Sequence, residues 1–248
     1  LKSFLAFFNV GDRSWAISQN LLLGGKTADG ADASSPTTYA FLEAFSSGNY
    51  PQPILSIRLH NNTPEKLYKN MGKFFFTPGQ LTPSLFNDDS IFQILQNSGI
   101  PLEDAQNYGI AGCQEPLISG KDNGNTTNSW LNLAKVLEIT LNDGCSSLTG
   151  NKLGLSWDEL PDKPVESGKL LGMIKESFYE QLKDAIFRMT AAANICTEAL
   201  SYLRTPFLSV SMGGLKTGID LRNTNIQGTE YNGSGCLIHG LSVLADSF

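Results

Sequence analysis

Cys113 and Glu115 stand two residues apart in the run Gly112-Cys113-Gln114-Glu115-Pro116. In an extended segment that spacing puts a thiol and a carboxylate on one face, whereas a helix turns them away from each other. Pro116 withholds a backbone donor and Gly112 permits unusual dihedrals, so the pair is expected on a loop or strand end. The pairing fits nucleophilic thiol catalysis poorly, because a neighbouring negative charge disfavours the thiolate. It suits a reaction in which sulfur moves a hydrogen atom, which needs no thiolate, while the carboxylate moves a proton as base or acid. Taken alone the string is a weak motif, since a buried structural cysteine and a solvated glutamate account for it equally well.

Other chemistry-bearing groups are sparser. In Ile54-Leu55-Ser56-Ile57-Arg58-Leu59-His60 the polar residues alternate with the apolar ones, which predicts a strand with Ser56, Arg58 and His60 on one face. His60 is a candidate substrate contact and equally a hydrogen-bonding scaffold residue; Arg58 carries the same two readings. The polar run Gly120 to Asn128 lacks the Gly-Lys-Ser/Thr ending of a phosphate-binding loop. It is read as a pocket wall, with Asn125, Thr126 and Thr127 as candidate substrate contacts. A dyad of Cys113 with His239 has no orienting third group in view. Two histidines and four dispersed cysteines show no metal-ligand spacing, so no metal is assigned, and Cys145, Cys196 and Cys236 are read as structural.

A formal charge of −6 over 248 residues, with no dense Lys/Arg cluster, argues against a nucleic-acid or anionic-membrane partner. No apolar run approaches the ~18 to 20 residues a membrane helix needs, and no basic flank followed by a hydrophobic segment opens the chain. Dispersed cysteines in a chain of this size fit a reducing compartment, so a soluble cytoplasmic protein is expected.

The elements follow an alternating pattern. Ser35-Pro36 predicts a helix start and Gly48 its end. Further helices are expected from Pro64 to about Phe76, from Asp88 or Asp89 to Ser98, and along Trp130, Leu133, Leu137 and Leu141. Residues 145 to 168 read as a surface connection. The clearest helix has Ile174, Phe178, Leu182, Ile186, Met189, Ala193, Cys196, Leu200 and Leu203 at intervals of three or four, one long apolar stripe ending before Thr205-Pro206. Phe207 to Met212 is predicted to be a buried strand and the segment from Gly213 loop-rich. Strands alternating with helices predict an α/β layered or barrel architecture with parallel strands.

At Tyr108-Gly109-Ile110-Ala111-Gly112-Cys113-Gln114-Glu115-Pro116 the chain resembles the cysteine loop of glycyl radical enzymes, the pyruvate formate-lyase-like family. The similarity is to the branch with Cys-x-Glu-Pro that includes glycerol, propanediol and choline lyases. It extends upstream through Gly24-Gly25, Gly30-Ala31-Asp32-Ala33, Pro51-Gln52-Pro53, Ser56-Ile57-Arg58-Leu59-His60 and Pro83-Ser84-Leu85-Phe86-Asn87-Asp88. Downstream it takes in Leu141-Asn142-Asp143-Gly144, Gly228-Thr229-Glu230-Tyr231-Asn232 and Ala245-Asp246-Ser247.

The resemblance implies a barrel of ten strands ringed by helices, with the cysteine loop near 109–116 inside it and residues 1–248 forming the central part of that single domain. It implies that Cys113 takes a hydrogen atom from a small polar substrate while Glu115 acts as general base or acid in an elimination. The radical would sit on a glycine installed by a separate radical S-adenosylmethionine activase, with no other cofactor bound, and the enzyme would be an anaerobic homodimer. Two departures qualify the match. Cys113 is flanked by Gly112 and Gln114 rather than by a second cysteine, which disfavours acetyl transfer to coenzyme A. The Arg-Val-x-Gly radical loop in the family's C-terminal region is not among these residues, so the chain is expected to be a central fragment holding half a site. Decarboxylation of an arylacetate-type acid is an alternative chemistry, and a noncatalytic or split-barrel fragment needing a partner chain is an alternative of another class.

Overall fold

A computed structural model of the chain describes residues 1–10, 19–112, 114–122, 128–160, 170–226, 228–231 and 235–248. It divides into two compact units, the first built from 1–126, 210–216 and 229–233, the second from 127–209, 217–228 and 234–248.

The first unit opens with helix α1 (Lys2–Val10), then β1 (Asn20–Gly24), α2 (Pro36–Gly48), β2 (Ile54–Leu59), α3 (Glu65–Phe76), β3 (Ser84–Asn87), α4 (Asp88–Asn97), the short α5 (Leu102–Ala105) and the hairpin β4 (Tyr108–Ala111) and β5 (Glu115–Ile118). Strands β1, β2 and β3 form a parallel sheet in that order, with Asn20 opposite Ile54 and Ser56 opposite Ser84. The helix boundaries follow from local chemistry. Ser35 and Thr38 form a reciprocal capping box with Pro36 in the first turn, and Asn49 takes the left-handed conformation that closes α2. Asn87 accepts the Asp89 N–H at 3.0 Å and so starts α4. Leu42, Phe45, Leu55, Ile57, Leu67 and Phe74 are all buried between the sheet and these helices. Strand β1 has no alternation: Leu21-Leu22-Leu23 is an apolar run, with Leu23 buried in the core and Leu21 packed against it.

The second unit contains β6 (Ser129–Asn132), α6 (Leu133–Leu141), a 3₁₀ turn at Trp157–Glu159 and the 32-residue α7 (Leu170–Ser201). Next come α8 (Pro206–Ser209), a π turn (Val210–Gly214) that belongs to the first unit, α9 (Leu215–Thr217), and then β7 (Cys236–His239) and α10 (Leu241–Ser247) in the second unit. Strands β6 and β7 pair in parallel. Leu131, Leu133, Leu137, Phe178 and Leu244 make its core.

Three expectations are corrected. Trp130 belongs to β6, because Asn132 caps α6 by accepting the Lys135 N–H at 3.1 Å and the helix cannot begin before it. Phe207 to Met212 is not a buried strand but helical turns with Phe207 90% exposed. Pro206 suits a first helical position, and the Asp220 carboxylate takes the Thr205 N–H at 2.8 Å, so the segment is capped as a helix. A short apolar run does not distinguish the two states by periodicity. The stripe of α7 is buried at Phe178 and Ala193, with Ile174, Leu182 and Met189 half-buried, whereas Ile186, Cys196 and Leu200 face solvent in this chain.

Candidate active site

The hairpin of β4 and β5 pairs Tyr108 with Ile118 and Ala111 with Glu115, which leaves Gly112, Cys113 and Gln114 as its three-residue loop. Gly112 has φ +42° and Gln114 φ +90°, so a non-glycine residue is held in the left-handed region beside the expected reaction centre. The Gln114 N–H closes the turn on the Ala111 carbonyl at 3.1 Å. Cys113 itself lies outside the described residues, as do Asn125, Thr126 and Thr127.

Glu115 opens β5 directly after this loop. Both of its carboxylate oxygens are buried, and neither has a hydrogen-bond partner among the described residues. A Cβ placed on Gly112 would come within 3.0 Å of Glu115 Oε2, so the carboxylate folds back over the residue preceding Cys113. Removing a carboxylate from water without donors costs several kcal/mol, and such a group in a folded interior asks for a ligand that supplies them.

The loop is braced from two sides. Asn20, the first residue of β1, donates from Nδ2 to the Gly112 carbonyl at 3.0 Å and accepts from Ser56 Oγ at 2.6 Å. Behind β4, Asp88 is fully buried and richly paired. It accepts from Arg58 Nε at 2.7 Å and Nη2 at 2.9 Å, from the Tyr108 hydroxyl at 2.7 Å and from the Lys26 N–H at 2.9 Å. The Arg58 guanidinium also lies 4.3 Å from the Tyr108 ring centre. Burial, and then the Asp88 carboxylate, hold the Tyr108 hydroxyl far above the usual phenol range, so it remains a donor at every working pH. Gly25 permits this approach: a Cβ there would stand 2.7 Å from Arg58 Nε and 3.0 Å from Asp88 Oδ2.

The site residues expected from sequence are therefore placed unequally. Glu115 opens β5, and the backbone before it turns at Gly112 and Gln114 rather than running extended as the two-residue spacing led one to expect. Arg58 is scaffold. The His60 ring is buried, its Nδ1 takes the Asn62 N–H at 3.3 Å, and its Nε2 faces Asp32 Oδ1 at 3.2 Å, so it braces the segment before α2. Asp88 and Asn20 were not singled out as site residues. Asp88 has the signature of a helix-capping acid, and Asn20 borders an apolar run without any pattern of its own.

A further cluster ties the hairpin's far end. Lys121 Nζ bridges both oxygens of Asp104 at 2.8 Å, and the Tyr231 hydroxyl donates to the same carboxylate. Lys121 and Tyr231 hold the Asp104 carboxyl below the usual range, while the Asp104 carboxylate, helped by burial, pushes Tyr231 up to about 12. The segment Gly228-Thr229-Glu230-Tyr231 is pinned here by the Tyr231 N–H to the Lys121 carbonyl at 2.8 Å.

Parallel strands flanked by helices make the first unit an α/β structure, with a hairpin whose second strand opens on a buried carboxylate two residues past Cys113. A family model described as pyruvate formate lyase-like matches residues 8–248, and the chain belongs to that family. It is similar to a (2S)-3-sulfopropanediol dehydratase from Klebsiella oxytoca, 29% identical over 92% of this chain and 27% of that protein. Among solved structures it resembles one on 1,2-propanediol dehydration in Roseburia inulinivorans, with 28% identity, a TM-score of 0.80, and coverage of 92% of this chain and 28% of that one. It also resembles a glycyl radical enzyme from Archaeoglobus fulgidus, with 27% identity, a TM-score of 0.76, and coverage of 92% and 28%. The fold is that of part of a glycyl radical enzyme barrel, and the chain spans little more than a quarter of the length of these relatives.

Proposed function

We propose that the protein containing this chain is a glycyl radical lyase of the dehydratase type, acting on a small vicinal diol or a related alcohol. The observation that carries the reading is Glu115: a buried carboxylate without a donor among the described residues, on the hairpin whose loop includes Cys113. A substrate hydroxyl donating to Glu115 supplies the missing hydrogen bond and presents its own carbon to the sulfur.

A radical glycine, installed by a radical S-adenosylmethionine activase, supplies Cys113 with its thiyl radical by taking the thiol hydrogen. Cys113 then takes a hydrogen atom from the substrate carbon, and Glu115 takes the proton of the hydroxyl on that carbon. The neighbouring carbon–oxygen bond breaks, the departing hydroxide leaves as water with the proton held by Glu115, and the product radical recovers its hydrogen atom from Cys113. Asn125, Thr126 and Thr127 are assigned to the pocket wall. His60 enters as a bracing residue rather than a substrate contact. Dehydration is placed ahead of decarboxylation because a substrate hydroxyl supplies Glu115 with the donor it lacks among the described residues.

The test uses full-length protein activated without oxygen. Electron paramagnetic resonance should show a glycyl radical doublet, and propane-1,2-diol, glycerol and 3-sulfopropanediol should be screened for carbonyl products. Cys113→Ser should keep the doublet and lose turnover. Glu115→Gln should keep the doublet and lose roughly 10²- to 10⁴-fold in turnover, the usual range for a positioned acid–base group. Undiminished turnover in either variant sinks the reading.

A further inference from the structure

We propose that Asn20 is a positioning residue for hydrogen-atom transfer, fixing the cysteine loop through the carbonyl of Gly112. The proposal rests on the radical-lyase reading above and adds a residue to it.

The Gly112 carbonyl belongs to the peptide bond that leads into Cys113, so it is the last backbone acceptor before the thiol. Asn20 Nδ2 donates to it at 3.0 Å across 92 positions of sequence. The asparagine is itself fixed twice. Its backbone is the first rung of the parallel pairing between β1 and β2, opposite Ile54. Its Oδ1 accepts from the fully buried Ser56 hydroxyl at 2.6 Å. Turning the amide over would set Oδ1 against the Gly112 carbonyl, two acceptors face to face, so these contacts select one orientation.

The arrangement calls for an amide specifically. One side chain must donate to Gly112 and accept from Ser56 at two separate atoms of one plane; an ionised carboxylate has no donor, an alkyl group has neither function, and a hydroxyl offers a single atom for both. The loop also needs an external hold, because φ +90° at Gln114 is a conformation that a non-glycine residue keeps only where the surroundings impose it. Hydrogen-atom transfer tolerates little misplacement. A shift of about 1 Å in a reacting group costs roughly 10²-fold in rate.

The experiment reads transfer through Cys113 without any substrate. Full-length protein carrying its glycyl radical is moved into D₂O. The radical carbon takes deuterium from the exchanged thiol as the S–D bond breaks and a C–D bond forms. The thiyl radical then takes hydrogen back from that carbon, and the S–H so formed exchanges with solvent. Repetition replaces the hydrogen that splits the signal, and the doublet collapses to a singlet. Asn20→Asp puts an oxygen where Nδ2 stands. It should form the radical in normal yield and collapse roughly 10- to 100-fold more slowly. Ser56→Ala should slow the collapse by a smaller factor, and Ser56→Thr, which keeps the hydroxyl, should restore it.

Collapse at the wild-type rate in radical-bearing Asn20→Asp overturns the proposal. If that variant takes up no radical, wild-type collapse in Ser56→Ala overturns it instead. Cys113→Ser separates the two readings. A doublet that still collapses there removes the radical role of Cys113 itself, whereas a doublet that persists there leaves that role standing whatever Asn20 does.

Discussion

Two carboxylates near the cysteine hairpin have opposite environments, and the contrast divides structure from chemistry. Asp88 is fully buried and accepts from Arg58, Tyr108 and Lys26, so its charge is balanced on every side. Glu115 is buried at both oxygens and has no such partner among the described residues. Only the second leaves capacity for a substrate. Asp88→Ala strands the Arg58 guanidinium in the interior beside Tyr108, and breaking a buried pair in that way costs about 3 to 5 kcal/mol. The thermal midpoint of the full-length protein should fall sharply, whereas Tyr108→Phe, which removes one donor to Asp88, should lower it less. Equal midpoints for Asp88→Ala and wild type would show that the pair does not support the hairpin. The sequence names Cys113 and Glu115 as a pair two residues apart, but the turn between β4 and Glu115, with Gln114 at φ +90°, was not legible in it. The duties of Asp88 and Asn20 were not, since their partners lie 20 to 92 positions away.

Helices were the most legible elements, because caps and stops are local. Ser35-Pro36 and Asn87 act within a turn of themselves, as their hydrogen bonds show, whereas the Asn132 cap is hidden behind an apolar spacing that sets the helix start too early, at Trp130. Parallel strands were less so. β1 and β3 are short, and β7 sits in a run without alternation, so each becomes a strand by pairing with a distant neighbour. The connection after α6 is better ordered than its Gly, Ser and Asp content implies. Glu138 accepts from Lys135 Nζ at 2.7 Å and from the Ser147 N–H at 2.8 Å, and these contacts lower its carboxyl to about 2. A depressed carboxyl contributes stability above its unfolded value of about 4.5, and that contribution fades as pH falls toward about 2. Amide protection factors across residues 144 to 154, which correct for the intrinsic slowing of exchange in acid, should therefore fall in wild type as pH drops from about 5 to 3. Glu138→Gln should already be fast at pH 5. A protein indifferent to both changes would remove Glu138 as the anchor of this loop.

At the scale of the whole chain, large apolar side chains remain open: Phe7 at 72%, Phe76 at 88%, Phe187 at 74% and Leu215 at 79% exposure. Large apolar side chains left in water favour association. The 248-residue segment expressed by itself should bind a hydrophobic dye and elute above its 26.9 kDa mass, and a dye-silent monomer would show these faces to be tolerated in water. By itself the sequence determined the cysteine and carboxylate spacing, the helix caps and the family to which the chain belongs, because each is carried by neighbouring residues or by ordered motifs. Tertiary structure alone decided that Trp130 lies in a strand, that Phe207 to Met212 is not a buried strand, and that Arg58 pairs with Asp88 while His60 meets Asp32. It also decided that a buried glutamate is left without a donor among the described residues and that Asn20 reaches the residue before Cys113. Those facts depend on which distant groups arrive in hydrogen-bonding range, and no local pattern encodes an arrival.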